Sequence, residues 1–195
     1  MLIDLLRHGE PVGGRRYRGQ VDDPLSELGW QQMWQAVGNE PPWQHIITSP
    51  LQRCRAFAQE LSTRHAIPFS EDARFMEVGF GEWEGHTADE LRQKDPAQWQ
   101  RFFDDPVTQR PAGAEPLVDF AARVIAAWDN VQQSHPESHL LVVCHAGVIR
   151  AVMTQVLGAP LSAMYRIHVE TGALTRIRIE ADRRPSLLFH GRRLG

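Results

Sequence analysis

Apolar residues along this chain follow two rhythms. Short, nearly continuous runs at Leu2–Arg7 (LIDLLR), Gln44–Thr48 and His139–Cys144 (HLLVVC) show almost no alternation with polar residues. Runs of this kind predict strands covered on both faces, the usual state of a parallel sheet. Between them the spacing becomes helical. Cys54, Phe57, Ala58 and Leu61 stand at i, i+3, i+4 and i+7, one apolar face behind Ser49-Pro50. That pair predicts an N-cap followed by a proline in the first turn. Ser26 predicts the start of an earlier helix carrying Met33, Trp34 and Val37 and stopping at Gly38. From Pro116, the residues Leu117, Phe120, Ala121, Val124, Trp128 and Val131 form a third stripe. Val148–Leu157 reads as a fourth helix, ended by Gly158 and Pro160. The tail alternates over Leu174–Glu180 and predicts a further strand, with Ser186–His190 another candidate. Strand runs alternating with helical stripes predict an α/β fold with a largely parallel sheet.

His86–Glu115 breaks both rhythms. It holds Pro96, Pro106 and Pro111, several charges and the aromatics Trp99, Phe102 and Phe103. It is expected to form short helices and loops over one end of the sheet. Ligands of α/β folds sit beyond the carboxyl ends of strands, so this piece is either a lid or plain packing.

Composition narrows the class. A chain of 195 residues fits one domain at about 100–200 residues per domain, here residues 1–195 with the insertion at 86–115. The net charge of −3, with 42% hydrophobic and 23% charged residues, describes a soluble globule without a general pull toward nucleic acid or anionic membranes. Asp4 interrupts the first apolar run, so it is no signal-peptide core, and Leu140–Cys144 is too short to span a bilayer. Two cysteines, Cys54 and Cys144, fit a reduced cytoplasmic protein better than a disulfide scaffold. A monomer or a homodimer is expected. There is no internal repeat.

Chemically able side chains gather where strands end. Arg7 and His8 close the first run, followed by Gly9 and Glu10, and His145 closes HLLVVC before Ala146-Gly147 and a helix. Arg53 lies in the first turns after the ITSP strand, and Glu77 in a loop marked by Gly79, Gly81 and Gly85. Parallel neighbours would bring these ends to one rim. Two guanidiniums match the oxygens of a phosphoryl group, and the N–H groups opening the helix after Gly147 add an anion site. A neutral histidine can attack phosphorus, and a protonated carboxyl can donate to the leaving oxygen. Taken singly, each residue has an ordinary reading: a core histidine, a helix-surface arginine, a loop carboxylate. Cys144 to Arg150 also fits C-x-x-x-x-x-R, the phosphate loop of cysteine-dependent phosphatases, although that leaves the other motifs unexplained.

Four ordered segments carry a resemblance. LLRHGE (5–10), SPLQRCRAFA (49–58), FMEVGFGEWEG (75–85) and VVCHAGVIR (142–150) resemble the motifs of the histidine phosphatase superfamily, and PAGAEPLVDFAARV (111–124) is similar to the stretch before the last of them. The resemblance implies the phosphoglycerate mutase-like fold, a three-layer sandwich with helices on both faces of a mostly parallel sheet. It implies His8 as a nucleophile that becomes phosphohistidine, Arg7, Arg53 and His145 as phosphoryl clamps, and Glu77 as proton donor and then base. No metal or other cofactor is implied, and the nine histidines show no zinc-ligand spacing. Ala146 stands where many members have glycine, Cys54 where alanine is common and Phe57 where threonine is common, which bears on pocket shape.

Length also bears on the reaction, because mutases of the superfamily usually carry longer insertions, so transfer to water is expected. Gly13–Trp30 resembles the corresponding region of alpha-ribazole phosphatases of cobalamin assembly. Gly14 and Arg18, with Gly13, Arg15 and Arg16, are then expected to form a flexible basic entrance for a small anionic phosphate ester, with Ala146 also lining the site. Sugar or nucleotide phosphates, mutase chemistry and a non-catalytic phosphate-ester binding module remain the alternatives.

Overall fold

The computed structural model describes residues 1–135 and 138–194. Strands β1 (Leu2–Arg7), β2 (His45–Thr48), β3 (Phe69–Glu71), β4 (His139–Cys144), β5 (Leu174–Arg178) and β6 (Ser186–Arg192) form one sheet in the order β3-β2-β4-β1-β5-β6. The pairs β1·β4, β2·β4 and β2·β3 are parallel, whereas β5 runs antiparallel to β1 and β6. The fold is therefore α/β with a mostly parallel central sheet.

Each central strand feeds both layers. Leu140, Val142 and Cys144 of β4 join one core with α5 (Leu117–Ser134) and α6 (Ala146–Leu157). Leu141 and Val143 join the other with α1 (Glu27–Val37) and α2 (Gln52–His65). Because both faces are covered, the strand sequences lack alternation. The missed strand is β3, whose three residues FSE contain no apolar run.

Helix ends mostly follow their caps. Ser26 accepts the Gly29 N–H at 3.0 Å, and Gly38 and Gly158, both at positive φ, end α1 and α6. Ser49-Pro50 is corrected: α2 starts at Gln52 behind Leu51, and its first N–H donates to the distant Asp22 carboxylate at 2.6 Å. The Ser49 hydroxyl accepts the Leu51 N–H at 3.3 Å, just ahead of the helix, and meets the His145 ring at 2.8 Å.

Residues 86–115 form α3 (Ala88–Lys94), α4 (Pro96–Asp104) and connecting loops. Phe102 is fully buried, and Trp83, Trp99, Phe80, Tyr17 and Tyr165 pack in its aromatic cluster. These rings work as core here.

Two close approaches bear on the site. Gly9 and Gly29 touch backbone to backbone, so that a Cβ on either collides with main-chain atoms rather than with a movable side chain. Gly29→Ala is expected to cost about 3 kcal/mol, the upper end for overpacking, read as a lowered midpoint of thermal unfolding. An unchanged midpoint would show that the crossing can relax. In mid-sheet, the fully buried Asp4 receives Arg176 through both carboxylate oxygens, at 2.7 and 2.9 Å. Trp43 Nε1 donates to it at 2.8 Å, and His139 Nε2 lies 3.0 Å away.

Candidate active site

Strand register assembles the rim. Arg7 pairs with Cys144 across β1 and β4, and Thr48 with Val143 across β2 and β4, so His8, Ser49 and His145 leave three neighbouring strands side by side. The His8 N–H donates to the Cys144 carbonyl at 3.0 Å, and the Ser49 N–H to that of Val143 at 3.0 Å. The His8 and His145 rings lie 5.1 Å apart at 62°.

His8 Nδ1 lies 2.7 Å from the Gly9 carbonyl oxygen. A carbonyl only accepts, so Nδ1 carries the proton and Nε2 keeps its lone pair. Burial, followed by the charges of Arg53 and Arg7, pushes the His8 pKa well below the usual histidine range. The same forces, burial first and then Arg53 and His8, lower His145. Both rings are neutral at physiological pH.

The two arginines are held at one end of their forks. Arg53, buried on α2, donates through its terminal nitrogens to the carbonyls of Val21 at 2.7 Å and Gly19 at 2.8 Å. Arg7 donates to Val169 at 2.6 Å. The Nε of each is buried without a hydrogen-bond partner, and among the described residues no other buried side-chain nitrogen or oxygen is in that state. Leaving such a donor unmet costs roughly 1–3 kcal/mol, and more when the group is charged. Two of them bearing on one pair of histidines mark a place for an anion.

Glu77 enters from the loop after β3. Its carboxylate receives the N–H of Val78 at 3.0 Å and that of Gly147, in the first turn of α6, at 3.1 and 3.2 Å. A Cβ at Gly147 would meet this carboxylate and push the Glu77 side chain off its present position. The expected phosphate site at the helix start is thereby revised: the Gly147 N–H is engaged by Glu77. Arg123 of α5 holds the loop, donating to the carbonyls of Arg74, Met76 and Glu77 at 2.7, 2.9 and 3.1 Å while paired with Glu115 at 2.7 Å.

The model of the histidine phosphatase superfamily (branch 1) matches residues 3–190. The chain belongs to this superfamily. It spans about half the length of the first curated relatives it matches, 50%, at 31% identity over 183 residues. Phosphoserine phosphatase 1 of Hydrogenobacter thermophilus is 29% identical over 186 residues, which cover 92% of this chain and 87% of that protein. The mycobacterial glucosyl-3-phosphoglycerate phosphatase structure is 27% identical with a TM-score of 0.85, covering 97% and 98% of the two chains. A putative alpha-ribazole-5'-P phosphatase from Escherichia coli, 24% identical with a TM-score of 0.86 over 99% and 97%, shares the fold.

The sequence-predicted residues sort clearly in the structure. Arg7, His8, Arg53, Glu77 and His145 converge, and Ala146 is buried beside His145 at the start of α6. Arg18 is buried too, but its fork is occupied by Asp23 at 2.9 Å and the Val12 carbonyl at 2.7 Å. Gly14 lies at positive φ with open space around its Cβ position. Arg16 donates to the carbonyls of Gly13 at 3.2 Å and Gly85 at 2.8 Å. Cys144 is fully buried, and burial raises its thiol pKa well above the ordinary value, contrary to what a thiolate nucleophile needs. Ser49 and Arg123 escaped the sequence reading because one resembled a cap and the other a polar helix position. Among the described residues no group of three or more His, Cys, Asp or Glu side chains is placed to hold a metal ion, and no helix is long and apolar enough to cross a membrane.

Proposed function

We propose that this chain hydrolyses phosphomonoesters through a phosphohistidine at His8. The observation that carries the reading is the pair of unmet Nε–H donors, on Arg7 and Arg53, beside two neutral imidazoles. His8 Nε2 attacks phosphorus, the ester P–O bond breaks, and the leaving oxygen takes the proton of Glu77, which enters this step as the neutral carboxylic acid and leaves it as carboxylate. Arg7, Arg53 and His145 hold the three phosphoryl oxygens as charge builds. Water then attacks the phosphohistidine, gives its proton to Glu77, and the N–P bond breaks to release inorganic phosphate and neutral His8. The relatives named as phosphatases support water, rather than a second substrate hydroxyl, as the acceptor. The finer reading, cleavage of alpha-ribazole 5'-phosphate in a cytoplasmic cobalamin route, is carried by the resemblance of Gly13–Trp30.

A phosphate-release screen without metal tests the reaction, using p-nitrophenyl phosphate, alpha-ribazole 5'-phosphate, 3-phosphoglycerate, sugar phosphates and nucleotides. Absence of turnover by folded protein would leave a binding module. The acid role of Glu77 has its own test. Glu77→Gln is expected to lose about 10²–10⁴-fold in kcat on alkyl phosphates and far less on p-nitrophenyl phosphate, whose leaving group needs little protonation. Equal losses on both would remove that role.

A further inference from the structure

The stretch PAGAEPLVDFAARV at 111–124 has no task in the chemistry above. Two of its charged residues form a pair: Glu115 precedes α5, and Arg123 lies in the second turn of that helix. Arg123 Nε donates to Glu115 Oε1 at 2.7 Å and Nη2 donates to Oε2 at 2.9 Å, a two-pronged contact between largely buried side chains. The rest of the guanidinium is turned on the loop that carries Glu77. Nη1 donates to the carbonyls of Arg74 at 2.7 Å and Met76 at 2.9 Å, and Nη2 to that of Glu77 itself at 3.1 Å. All five N–H groups of the guanidinium are therefore in use.

Glu115 serves the far side of the acid. Its Oε2 accepts the Gly79 N–H at 3.1 Å, and its own N–H donates to the Gly79 carbonyl at 3.1 Å. Arg110 reinforces this end, donating to the carbonyls of Gly79 at 3.0 Å and Glu115 at 3.2 Å. Between the two fixings, Glu77 and Val78 make no backbone-to-backbone hydrogen bond among the described residues. No helix or strand ladder thus holds the main chain of the acid. Of the two N–H groups that meet its carboxylate, Val78 belongs to the same loop and only Gly147 comes from outside it. Where the carboxyl sits therefore depends on contacts from Arg123 and Glu115.

We infer that Arg123 and Glu115 are positioning residues for the general acid: they hold residues 74–79 so that the Glu77 carboxyl stands at the leaving oxygen. Neither hydrogen-bonds to Arg7, His8, Arg53 or His145 among the described residues. The inference rests on the hydrolase reading above. A displacement of about 1 Å can cost about 10²-fold in rate, and here the loss falls only on esters whose leaving oxygen needs the proton.

The test uses kcat/KM, which counts the steps through P–O cleavage, on three esters of rising leaving-oxygen basicity: p-nitrophenyl phosphate, phenyl phosphate and glycerol 2-phosphate. Arg123→Met is expected to lose about 10²-fold on glycerol 2-phosphate, less on phenyl phosphate, and no more than about threefold on p-nitrophenyl phosphate. That is the ordering expected of Glu77→Gln. Arg123→Lys, with three donors in place of five, and the isosteric Glu115→Gln should show the same ordering with smaller losses. The Ki of inorganic phosphate should stay within about twofold of wild type in all three variants, because the phosphoryl clamps are untouched. One sample is compared on three esters, so any shortfall of folded protein cancels. In a Glu77→Gln background, Arg123→Met should cost less than about threefold more on glycerol 2-phosphate, since residues that act as one unit are not additive. An equal loss on all three esters, as a merely structural role would give, overturns the positioning role and leaves the hydrolase reading intact. So does no loss at all, or a loss that multiplies with that of Glu77→Gln. If wild type hydrolyses none of the three, the hydrolase reading falls and this role falls with it.

Discussion

His8→Ala is expected to lower kcat/KM by at least about 10⁴-fold on every phosphomonoester, since it removes the atom that bonds to phosphorus. Burial and the nearby arginines keep the wild-type ring neutral, and the Gly9 carbonyl holds the proton on Nδ1, so Nε2 is ready to attack without a separate base. In wild type, rapid quenching during turnover should trap a phosphoryl group that survives alkali and is lost in acid, as a phosphorus–nitrogen bond requires. His8→Ala should trap none. The competing nucleophile is Cys144, and Cys144→Ser is expected to retain turnover, because that thiol is buried and pushed toward its protonated form. A fully active His8→Ala together with a dead Cys144→Ser would reverse the assignment.

A second large effect, on stability, is expected at Asp4. Its burial raises the carboxyl pKa, but hydrogen bonds from Arg176, His139 and Trp43 outweigh that and leave it below the usual range. Removing one partner of a buried pair costs about 3–5 kcal/mol. Asp4→Asn should fall near the lower bound, lowering Tm by about 10 °C for a chain of this size. The sign with pH follows from the lowered carboxyl. Its contribution is complete above the unfolded carboxyl pKa of about 3.9 and is lost as pH falls through the lower folded value. The gap between wild type and Asp4→Asn should therefore be constant near neutrality and close in strong acid. No gap at neutral pH, or one that persists undiminished into strong acid, would show that the ionised pair is not what holds the three strands.

Much of this was written in local sequence. Leu2–Arg7, His139–Cys144 and the stripes of α1, α2, α5 and α6 were legible because both-face burial and the helical period leave direct marks on a chain. The motifs likewise named Arg7, His8, Arg53, Glu77 and His145, since strand ends in a parallel sheet share a rim. Other features depended on distant neighbours. The three-residue β3 exists through pairing with β2, and β5 runs antiparallel although its own alternation carries no direction. Ser49 has the chemistry of a cap, yet it sits ahead of the helix and its hydroxyl also reaches His145, 96 residues away. Arg18 and Arg53 look equally available in sequence; Asp23 and Val12 occupy the first, while the second keeps an unmet Nε–H. By itself, then, the sequence determined the elements and the candidate reacting groups, because periodicity and side-chain chemistry are local. Tertiary structure alone decided which donors are left open to a ligand, because satisfaction of a buried hydrogen-bonding group depends on what the rest of the chain places beside it.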